Sequence, residues 1–455
     1  MLSSKKVTII GAGLVGSLLS IYLAKREYVV DIYEKRPDMR AHDIGGGRSI
    51  NLALSIRGIH ALKEVGLFEE IKKIAIPMYG RMVHPLGGEV NLQPYGKDDT
   101  EYINSISRAE LNKLLMNMTE PDPNVTYHFN ERCTGMNFEN NEVHFTNEEI
   151  GNEWTLNADV VIATDGAASP VRMEMLKTPR FDFSQEYENY GYKELTIPAG
   201  AGGEFLMEKN ALHIWPRGSY MLIALPNIDG SYTVTLFLAY DEALGGQNSF
   251  EYINTDERVK EFFETNFPDA VSLMPDLIED FNSNPTGSLI TVKCYPWSVG
   301  GNATMLGDSC HAIVPFFGQG MNAAFEDCIY LNEMIGKYEG DWEKIFSEYQ
   351  QIRKPDTDAI ADLAQENFIE MRDLVDDERF LLKKKIEKEL YTRYPDRFIP
   401  KYSMVTFMRI PYSVALERGR IQNGILDELS DGMSGIDNID WSKADGLVNK
   451  ALKSL

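Results

Sequence analysis

The chain has 455 residues, of which 43% are hydrophobic, and it carries a formal net charge of −24 with a pI of about 4.8. This length predicts two or three subdomains with a sizeable core. So acidic a surface repels phosphate backbones and anionic lipid, which argues against nucleic acids as partners.

Cysteine and histidine usage indicates the compartment. The four cysteines show no CxxC spacing, and the seven histidines are scattered without a ligand pattern. We therefore expect reduced thiols and no metal site.

No apolar run approaches the ~20 residues that span a bilayer, and no targeting peptide precedes the first strand. These features predict a cytoplasmic protein without a membrane anchor.

The first predicted elements form a βαβ unit. Residues 5–10 predict a buried strand, residues 14–25 a helix that packs on a sheet, and residues 28–33 a second strand. A GAGLVG motif joins the first strand to the helix, and Glu34 ends the second strand near the position of a ribose-binding carboxylate. The unit predicts a dinucleotide site but does not separate FAD from NAD.

The three glycines of this motif have separate tasks. Gly11 allows the tight turn, Gly13 lets a pyrophosphate approach the backbone, and Gly16 lets the helix pack closely on the strand. The N-terminus of the helix presents free N–H groups and a positive dipole to the phosphates. A chance glycine turn is the competing interpretation, and the adjoining strand, helix and carboxylate argue against it.

The middle of the chain predicts mainly strands. Residues 142–146 and 153–156 predict a hairpin, and residues 158–163 predict a buried strand before an Asp165-Gly turn. Residues 213–238 predict further strands around a turn, which would form a central sheet.

A Gly-Asp motif follows far downstream of the Asp-Gly turn. Residues 303–308 predict a strand ending in Gly-Asp, and Asp308 is placed to accept hydrogen bonds from ribityl or ribose hydroxyls. Gly318 and Gly320 keep side chains off a flat ring and open a helix over residues 321–335. The N-terminus of this helix would favour negative charge on reduced flavin. The later motifs favour FAD over NAD.

The C-terminal part predicts helices. Residues 343–424 are mostly helical in pattern, with breaks at four prolines: Pro355, Pro395, Pro400 and Pro411. Upstream, the adjacent Cys310 and His311 invite interpretation as a nucleophile and its base. Neighbouring side chains in an extended loop point apart, so we do not expect such a pair.

The three glycine motifs, in this order, resemble the single-component aromatic hydroxylases related to p-hydroxybenzoate hydroxylase. Further segments narrow the resemblance to the kynurenine 3-monooxygenase family, along nearly the whole chain. These segments are residues 80–84, 94–96, 105–108, 315–322, 367–372 and 402–407. The polar end of the chain, residues 436–443, departs from the hydrophobic anchor of mitochondrial relatives and indicates a bacterial-type form without that anchor.

The resemblance implies an α/β fold of mixed α+β type. A Rossmann-type FAD-binding domain is interleaved with an antiparallel-sheet substrate domain and followed by a C-terminal helical region. We expect the FAD-binding domain in residues 1–80, 99–180 and 290–340, the substrate domain in residues 81–98 and 181–289, and the helical region in residues 341–455.

The resemblance also implies the reaction. It is the hydroxylation of L-kynurenine to 3-hydroxy-L-kynurenine through a C4a-hydroperoxyflavin, with FAD as cofactor and NADPH and O2 as co-substrates. FAD carries this chemistry, so we expect no side chain as an essential catalytic base. The alternatives are a hydroxylase of another aromatic acid and a flavin-binding redox sensor without turnover. A flavin-dependent halogenase is a further alternative, but the sequence has no WxWxIP-like segment to support it.

The site residues implied by the resemblance fall into two sets. In the substrate set, a cation and two phenols would bind the substrate carboxylate, an amide would bind the amino-acid end, and apolar side chains would contact the ring. These residues are Arg81, Tyr95, Tyr402, Asn367, Met371, Phe316 and Phe317. The cofactor set is Gly11, Gly13, Gly16, Glu34, Arg108, Asp165, Gly307, Asp308, Gly318, Gln319, Gly320, Met321 and Asn322. Each has an ordinary alternative, such as a surface ion pair for Arg81 or core packing for the aromatic residues.

Overall fold

A computed structural model describes residues 5–41, 51–96, 98–373, 378–433 and 435–455. The first strands in chain order are β1 (Lys6–Ile10), β2 (Val29–Tyr33), β3 (Asn51–Leu54), β4 (Ala75–Met78), β5 (Gly80–Val83), β6 (Asn91–Pro94), β7 (Ile103–Ser107), β8 (Val125–His128), β9 (Glu131–Asn137) and β10 (Glu142–Asn147). The later strands are β11 (Glu153–Asn157), β12 (Val161–Ala163), β13 (Asp182–Ile197), β14 (Ala211–Pro216), β15 (Met221–Pro226), β16 (Tyr232–Ala239), β17 (Thr286–Tyr295), β18 (Ser298–Val299) and β19 (Ala303–Met305).

Helices connect and cover these strands. The first are α1 (Leu14–Ala24), α2 (Ile56–Glu64), α3 (Phe68–Ile71), α4 (Arg108–Thr119), α5 (Pro170–Met175), α6 (Glu242–Gly245), α7 (Asp256–Asn266), α8 (Pro268–Val271) and α9 (Leu277–Ser283). The later ones are α10 (Asp308–His311), α11 (Gly320–Tyr338), α12 (Trp342–Asp373), α13 (Glu378–Arg393), α14 (Lys401–Thr406), α15 (Tyr412–Ser430) and α16 (Trp441–Ala451). Short 3-10 turns lie at Pro315–Phe317 and Ile436–Asn438.

The predicted βαβ unit forms the centre of a six-stranded sheet with the order β18-β19-β12-β1-β2-β8. β1 pairs in parallel with β2 and β12, and Ile9 lies between Ile32 and Ile162, all fully buried. Such continuous apolar strands are typical of a parallel sheet covered on both faces. The hairpin of β10 and β11 is also present, in a separate three-stranded sheet with β9. The Rossmann-type part of the prediction is therefore confirmed.

A seven-stranded sheet, ordered β17-β13-β16-β15-β14-β5-β6, forms the second layer. Its strands alternate: Leu222 and Ala224 point into a core shared with helices α7 to α9, while Ile223 between them points to the other face. Strand β17 continues the sheet to Tyr295, past the predicted domain boundary at residue 289. The sheet therefore presents one apolar face to the cavity described below.

The C-terminal helices follow the prediction except at one proline. Pro355 lies inside α12, so the predicted break there is wrong. A proline in a helix costs about 3 kcal/mol, but buried groups hold this stretch on both sides. Arg353 Nε donates to Asp327 at 2.8 Å, and Asp356 Oδ1 accepts the Ser413 N–H at 3.1 Å. Within the described ranges, no helix is both long and apolar enough to cross a membrane.

Candidate active site

One cavity of about 410 Å³ runs between the two sheets. One end is the turn between β1 and α1, where Gly13 lies, and the other end holds Arg81, Tyr95 and Tyr402. The sequence motifs that predicted cofactor and substrate residues therefore meet in a single space, although they are far apart along the chain.

Two glycines shape the cofactor end of the cavity: one leaves backbone open to the cavity, and the other lets a helix pack on a strand. A Cβ added to Gly13 would meet nothing within 4 Å, so its backbone is open to the cavity. A Cβ on Gly16 would lie 2.1 Å from the Gly11 carbonyl oxygen, so α1 packs directly on the strand there. Gly166 and Asp308 also line this end. An open backbone at the start of a helix fits the pyrophosphate of FAD.

Glu34 is bound to the glycine turn itself. Its carboxylate accepts the Ala12 N–H at 2.9 Å and the Arg36 Nε–H at 2.8 Å. Burial raises the pKa of Glu34, but the hydrogen bonds from Arg36 and Ala12 bring it below its ordinary value. The predicted ribose-binding carboxylate is thus ionised and held in place by the turn, and it does not line the cavity.

Asp165 is the buried carboxylate of the central Asp-Gly motif. Neither carboxylate oxygen makes a hydrogen bond of normal geometry within the described residues. Burial raises the pKa of Asp165 to about 6, although the nearby Ser169 and Val171 act to lower it. An unpaired buried carboxylate is costly unless a ligand satisfies it. Its neighbours Gly166 and Ala167 line the cavity, so the motif borders this space, and its contact with FAD stays a prediction.

Replacing Asp165 by asparagine is expected to stabilise the protein stripped of FAD at high pH. The folded-state pKa lies above the unfolded-state value, so the parent protein loses stability as pH rises from about 4 through about 6. The variant escapes this loss, which is at most about 3 kcal/mol at pH 8. Urea unfolding of both proteins between pH 5 and pH 8 measures it. A stability difference that does not grow with pH would contradict the expected role of this carboxylate.

The loop before α11 combines cavity-lining and buried residues. Those that line the cavity are Pro315, Phe316, Phe317, Gly318, Gly320 and Met321. The side chains of Gln319 and Asn322 bind the protein instead. Tyr412 Oη donates to Gln319 Oε1 at 2.9 Å, and Asn322 Nδ2 donates to the Ala53 carbonyl at 2.8 Å. These two predicted cofactor residues therefore fix the loop with their side chains, and only their backbone is left for a cofactor.

Arg81 lies beside a stacked pair of phenol rings at the other end of the cavity. Its guanidinium carbon is 5.5 Å from the Tyr95 ring centre and 5.0 Å from that of Tyr402, and the two rings stack at 5.4 Å. Arg81 Nε and Tyr95 Oη are buried without hydrogen-bond partners in the described part of the chain. The surface ion pair considered for Arg81 is thus wrong, because the side chain lines the cavity and its Nε donor is unused.

Aromatic and aliphatic side chains form the walls beside Arg81. Phe316 stacks on Phe368 at 4.2 Å and contacts Phe237 at 5.1 Å, while Phe317 stacks on Tyr402 at 5.7 Å. The sheet supplies the opposite wall with residues that sequence inspection did not single out. They are Leu212, Met221, Ile223, Leu225, Thr233, Thr235 and Phe237. This space fits a flat aromatic ring with an anionic group at Arg81.

Asn367 and Met371 have a different status. Asn367 is buried on α12, where its Nδ2 donates to the Phe316 carbonyl at 2.7 Å, and it does not line the cavity. It supports the aromatic wall in this structure. The side chain of Met371 lies outside the described residues, so its predicted ring contact stays a prediction.

Arg108 begins α4 at the edge of the cavity, where its side chain is exposed. This position allows contact with a cofactor phosphate, as predicted, and equally allows solvent exposure.

Cys310 and His311 are both buried and point to different partners. Cys310 Sγ donates to the Gly307 carbonyl, and His311 Nε2 lies 2.5 Å from Asp327. They form no nucleophile–base pair, in agreement with the prediction.

Comparison with known proteins identifies the family. Residues 4–364 match the family model described as an FAD binding domain. A kynurenine 3-monooxygenase of Myxococcus xanthus is 50% identical over 446 residues, covering 98% of this chain and 95% of that protein. A kynurenine 3-monooxygenase of Flavobacterium johnsoniae is 46% identical over 455 residues and covers 100% of both chains.

Solved structures support the fold. The tetrameric form of 2-methyl-3-hydroxypyridine-5-carboxylic acid oxygenase has a TM-score of 0.65 at 18% identity, covering 83% of this chain and 95% of that one. Pseudomonas aeruginosa PqsL in complex with 2-aminobenzoylacetate has a TM-score of 0.64 at 18% identity, covering 81% and 96%. The chain belongs to the FAD binding domain family and, within it, to the kynurenine 3-monooxygenases.

Proposed function

We propose that this chain hydroxylates L-kynurenine to 3-hydroxy-L-kynurenine, with FAD as cofactor and NADPH and O2 as co-substrates. One observation carries the assignment of the substrate end. The Arg81 guanidinium, with its unused buried Nε donor, lies beside two stacked phenols in the same cavity that opens onto the Gly13 turn. A planar cation of this kind binds a carboxylate with two donors.

The phenols strengthen carboxylate binding. Burial raises the pKa of Tyr95 and of Tyr402, so both hydroxyls stay protonated at working pH and can donate hydrogen bonds. With the amino-acid carboxylate at Arg81, the aromatic ring of kynurenine would lie between the sheet and the Phe316–Phe317 wall. That places the ring toward the loop expected to hold the flavin.

Bound FAD, once reduced by NADPH, supplies the oxygen-activating chemistry. The residues of the chain bind the substrate, orient its ring and exclude water. The ring amine of kynurenine itself pushes electron density to the neighbouring carbon, so no side-chain base is needed there. This part of the cavity is kept apolar by Phe316, Phe317, Ile223 and Leu225, which excludes water from the place where oxygen reacts with the ring. The acidic surface and the four free, buried cysteines support a cytoplasmic location.

Replacing Tyr95 by phenylalanine is expected to weaken substrate binding without loss of stability. The buried Oη makes no hydrogen bond of normal geometry in the described residues, although Arg81 and Tyr402 lie beside it, so its removal should cost the fold little. Loss of one donor to a carboxylate should cost about 1.5–3 kcal/mol, or a 10- to 100-fold rise in the dissociation constant of L-kynurenine. Substrate titration and thermal unfolding measure the two effects. A fall in Tm with unchanged substrate affinity would show that Tyr95 is structural.

A substrate panel tests the proposed specificity. NADPH consumption is measured with L-kynurenine, anthranilate and salicylate, each with and without enzyme. We expect strong stimulation only by L-kynurenine. Equal stimulation by a smaller aromatic acid would favour a hydroxylase of that acid, and no stimulation by any of them would favour a flavin-binding sensor.

A further inference from the structure

A buried carboxylate beneath the cofactor cavity is not accounted for by the proposed chemistry. Asp327 lies on α11 and is fully buried. Its Oδ2 accepts the Gly307 N–H at 3.1 Å and lies 2.5 Å from His311 Nε2, while its Oδ1 accepts the Arg353 Nε–H at 2.8 Å. Asp327, on α11, therefore joins a backbone group and a side chain at the two ends of α10 to a side chain of α12.

The groups around Asp327 keep it ionised. Burial alone would raise its pKa, but the proximity of His311 and Arg353 brings the pKa of Asp327 below its ordinary value. Arg353 also donates to Glu326, and Glu326 in turn accepts from Arg57 at 2.7 Å. The two acidic residues thus share a cation but have different further partners, and only Asp327 reaches Gly307.

Gly307 has a conformation that depends on support from its surroundings. Its φ of +64° and ψ of −143° are open only to glycine, and an added Cβ would lie 3.1 Å from Val15 and 3.2 Å from Ala324. Its carbonyl accepts the N–H groups of Cys310 and His311. The Gly307 N–H, in the preceding peptide, donates to Asp327, so both peptides that flank Gly307 are held immediately before Asp308, which lines the cavity.

We propose that Asp327 is a positioning residue for FAD binding: it fixes the Gly307 peptide and so aims the Asp308 side chain into the cofactor cavity. His311 and Arg353 orient the Asp327 carboxylate for this task. The proposal rests on the proposed contact between Asp308 and FAD, and it adds a residue that does not touch the cofactor.

The test is a double-mutant cycle on FAD affinity. Full-length protein stripped of FAD is titrated with FAD, followed by flavin fluorescence, for the parent, D308N, D327N and the double variant. Asparagine keeps the size of Asp327 but supplies one acceptor oxygen where two are used. We expect D327N to weaken FAD binding about tenfold in the parent, and by less than about threefold when Asp308 is already replaced.

E326Q is the matched control, because it removes a buried carboxylate from the same network without touching Gly307. It should lower Tm as D327N does, yet leave FAD affinity within about threefold of the parent. An equal loss of FAD affinity in E326Q and D327N, or an undiminished D327N effect in the D308N background, would overturn the proposal.

A second pair of variants covers the case in which D327N does not fold. H311Q keeps an N–H donor that can reach Asp327, whereas H311L does not, so H311L should bind FAD several-fold more weakly than H311Q. Equal affinities in this pair count against the proposal. If D308N leaves FAD affinity unchanged, the role of Asp308 fails and the proposal with it. If D308N weakens FAD binding but D327N and H311L do not, only the positioning role fails.

Discussion

Replacing Arg81 by alanine is expected to weaken L-kynurenine binding by about 2–5 kcal/mol while FAD stays bound. The side chain is the cation beside Tyr95 and Tyr402 at the end of the cavity away from Gly13. Its removal leaves the substrate carboxylate buried without a charged partner, which is the costly part of the change. Titration with L-kynurenine and the flavin absorbance spectrum measure the two outcomes separately.

R81K is the matched control for charge. Lysine keeps the positive charge but not the planar two-donor fork, so we expect an affinity between those of the parent and R81A. In R81A the kynurenine ring is bound weakly or in the wrong orientation, so the activated oxygen is not transferred to it. R81A should therefore release more hydrogen peroxide for each NADPH consumed. Unchanged substrate affinity in R81A would remove Arg81 from the site, and loss of FAD would make it a structural residue.

The second large effect concerns two glycines of one motif: replacing Gly13 by alanine should weaken FAD binding, whereas replacing Gly16 by alanine should destabilise the fold. A Cβ at Gly13 meets nothing in the chain within 4 Å, so G13A should fold with unchanged Tm in the absence of FAD. The added methyl group occupies the space open to the pyrophosphate. Overpacking costs about 1–3 kcal/mol, so FAD affinity should fall about 5- to 150-fold.

G16A is expected to damage the fold itself. Its Cβ would lie 2.1 Å from the Gly11 carbonyl oxygen and 2.7 Å from Thr164 Oγ1, so α1 must move away from the sheet. We expect a loss of at least about 3 kcal/mol in the free energy of unfolding, even without FAD. Unfolding of the two FAD-free variants separates these roles. Equal stability of G13A and G16A would contradict the assignment of one glycine to the ligand and the other to helix packing.

The elements that sequence predicts well are those fixed by local pattern. The strand before Gly11 and the second strand are mostly apolar, and the helix between them is apolar around most of its surface, as is typical of a parallel sheet covered on both faces. The cavity wall on the second sheet could also have been found in this way. Leu212, Ile223 and Thr235 lie on one face of strands with a period of two, opposite Leu222 and Leu236.

The features that sequence does not predict depend on partners far along the chain. Gln319 binds Tyr412, so its side chain is turned away from the cavity by a residue 93 positions later. Pro355 stays helical because Arg353 and Asp356 on either side have buried partners. A signal did exist for the network around Asp327, since Glu326-Asp327 is an acidic pair within an otherwise apolar stretch of α11. Charged residues in such a position are buried only when paired.

The measurement that tests the account most directly is the product formed from L-kynurenine with NADPH under ¹⁸O₂. The account predicts NADPH consumption that depends on L-kynurenine and a product that carries one ¹⁸O atom on the ring carbon beside the amine. A product without ¹⁸O, or NADPH consumption that yields only hydrogen peroxide, would contradict hydroxylation of kynurenine at the Arg81 end of the cavity.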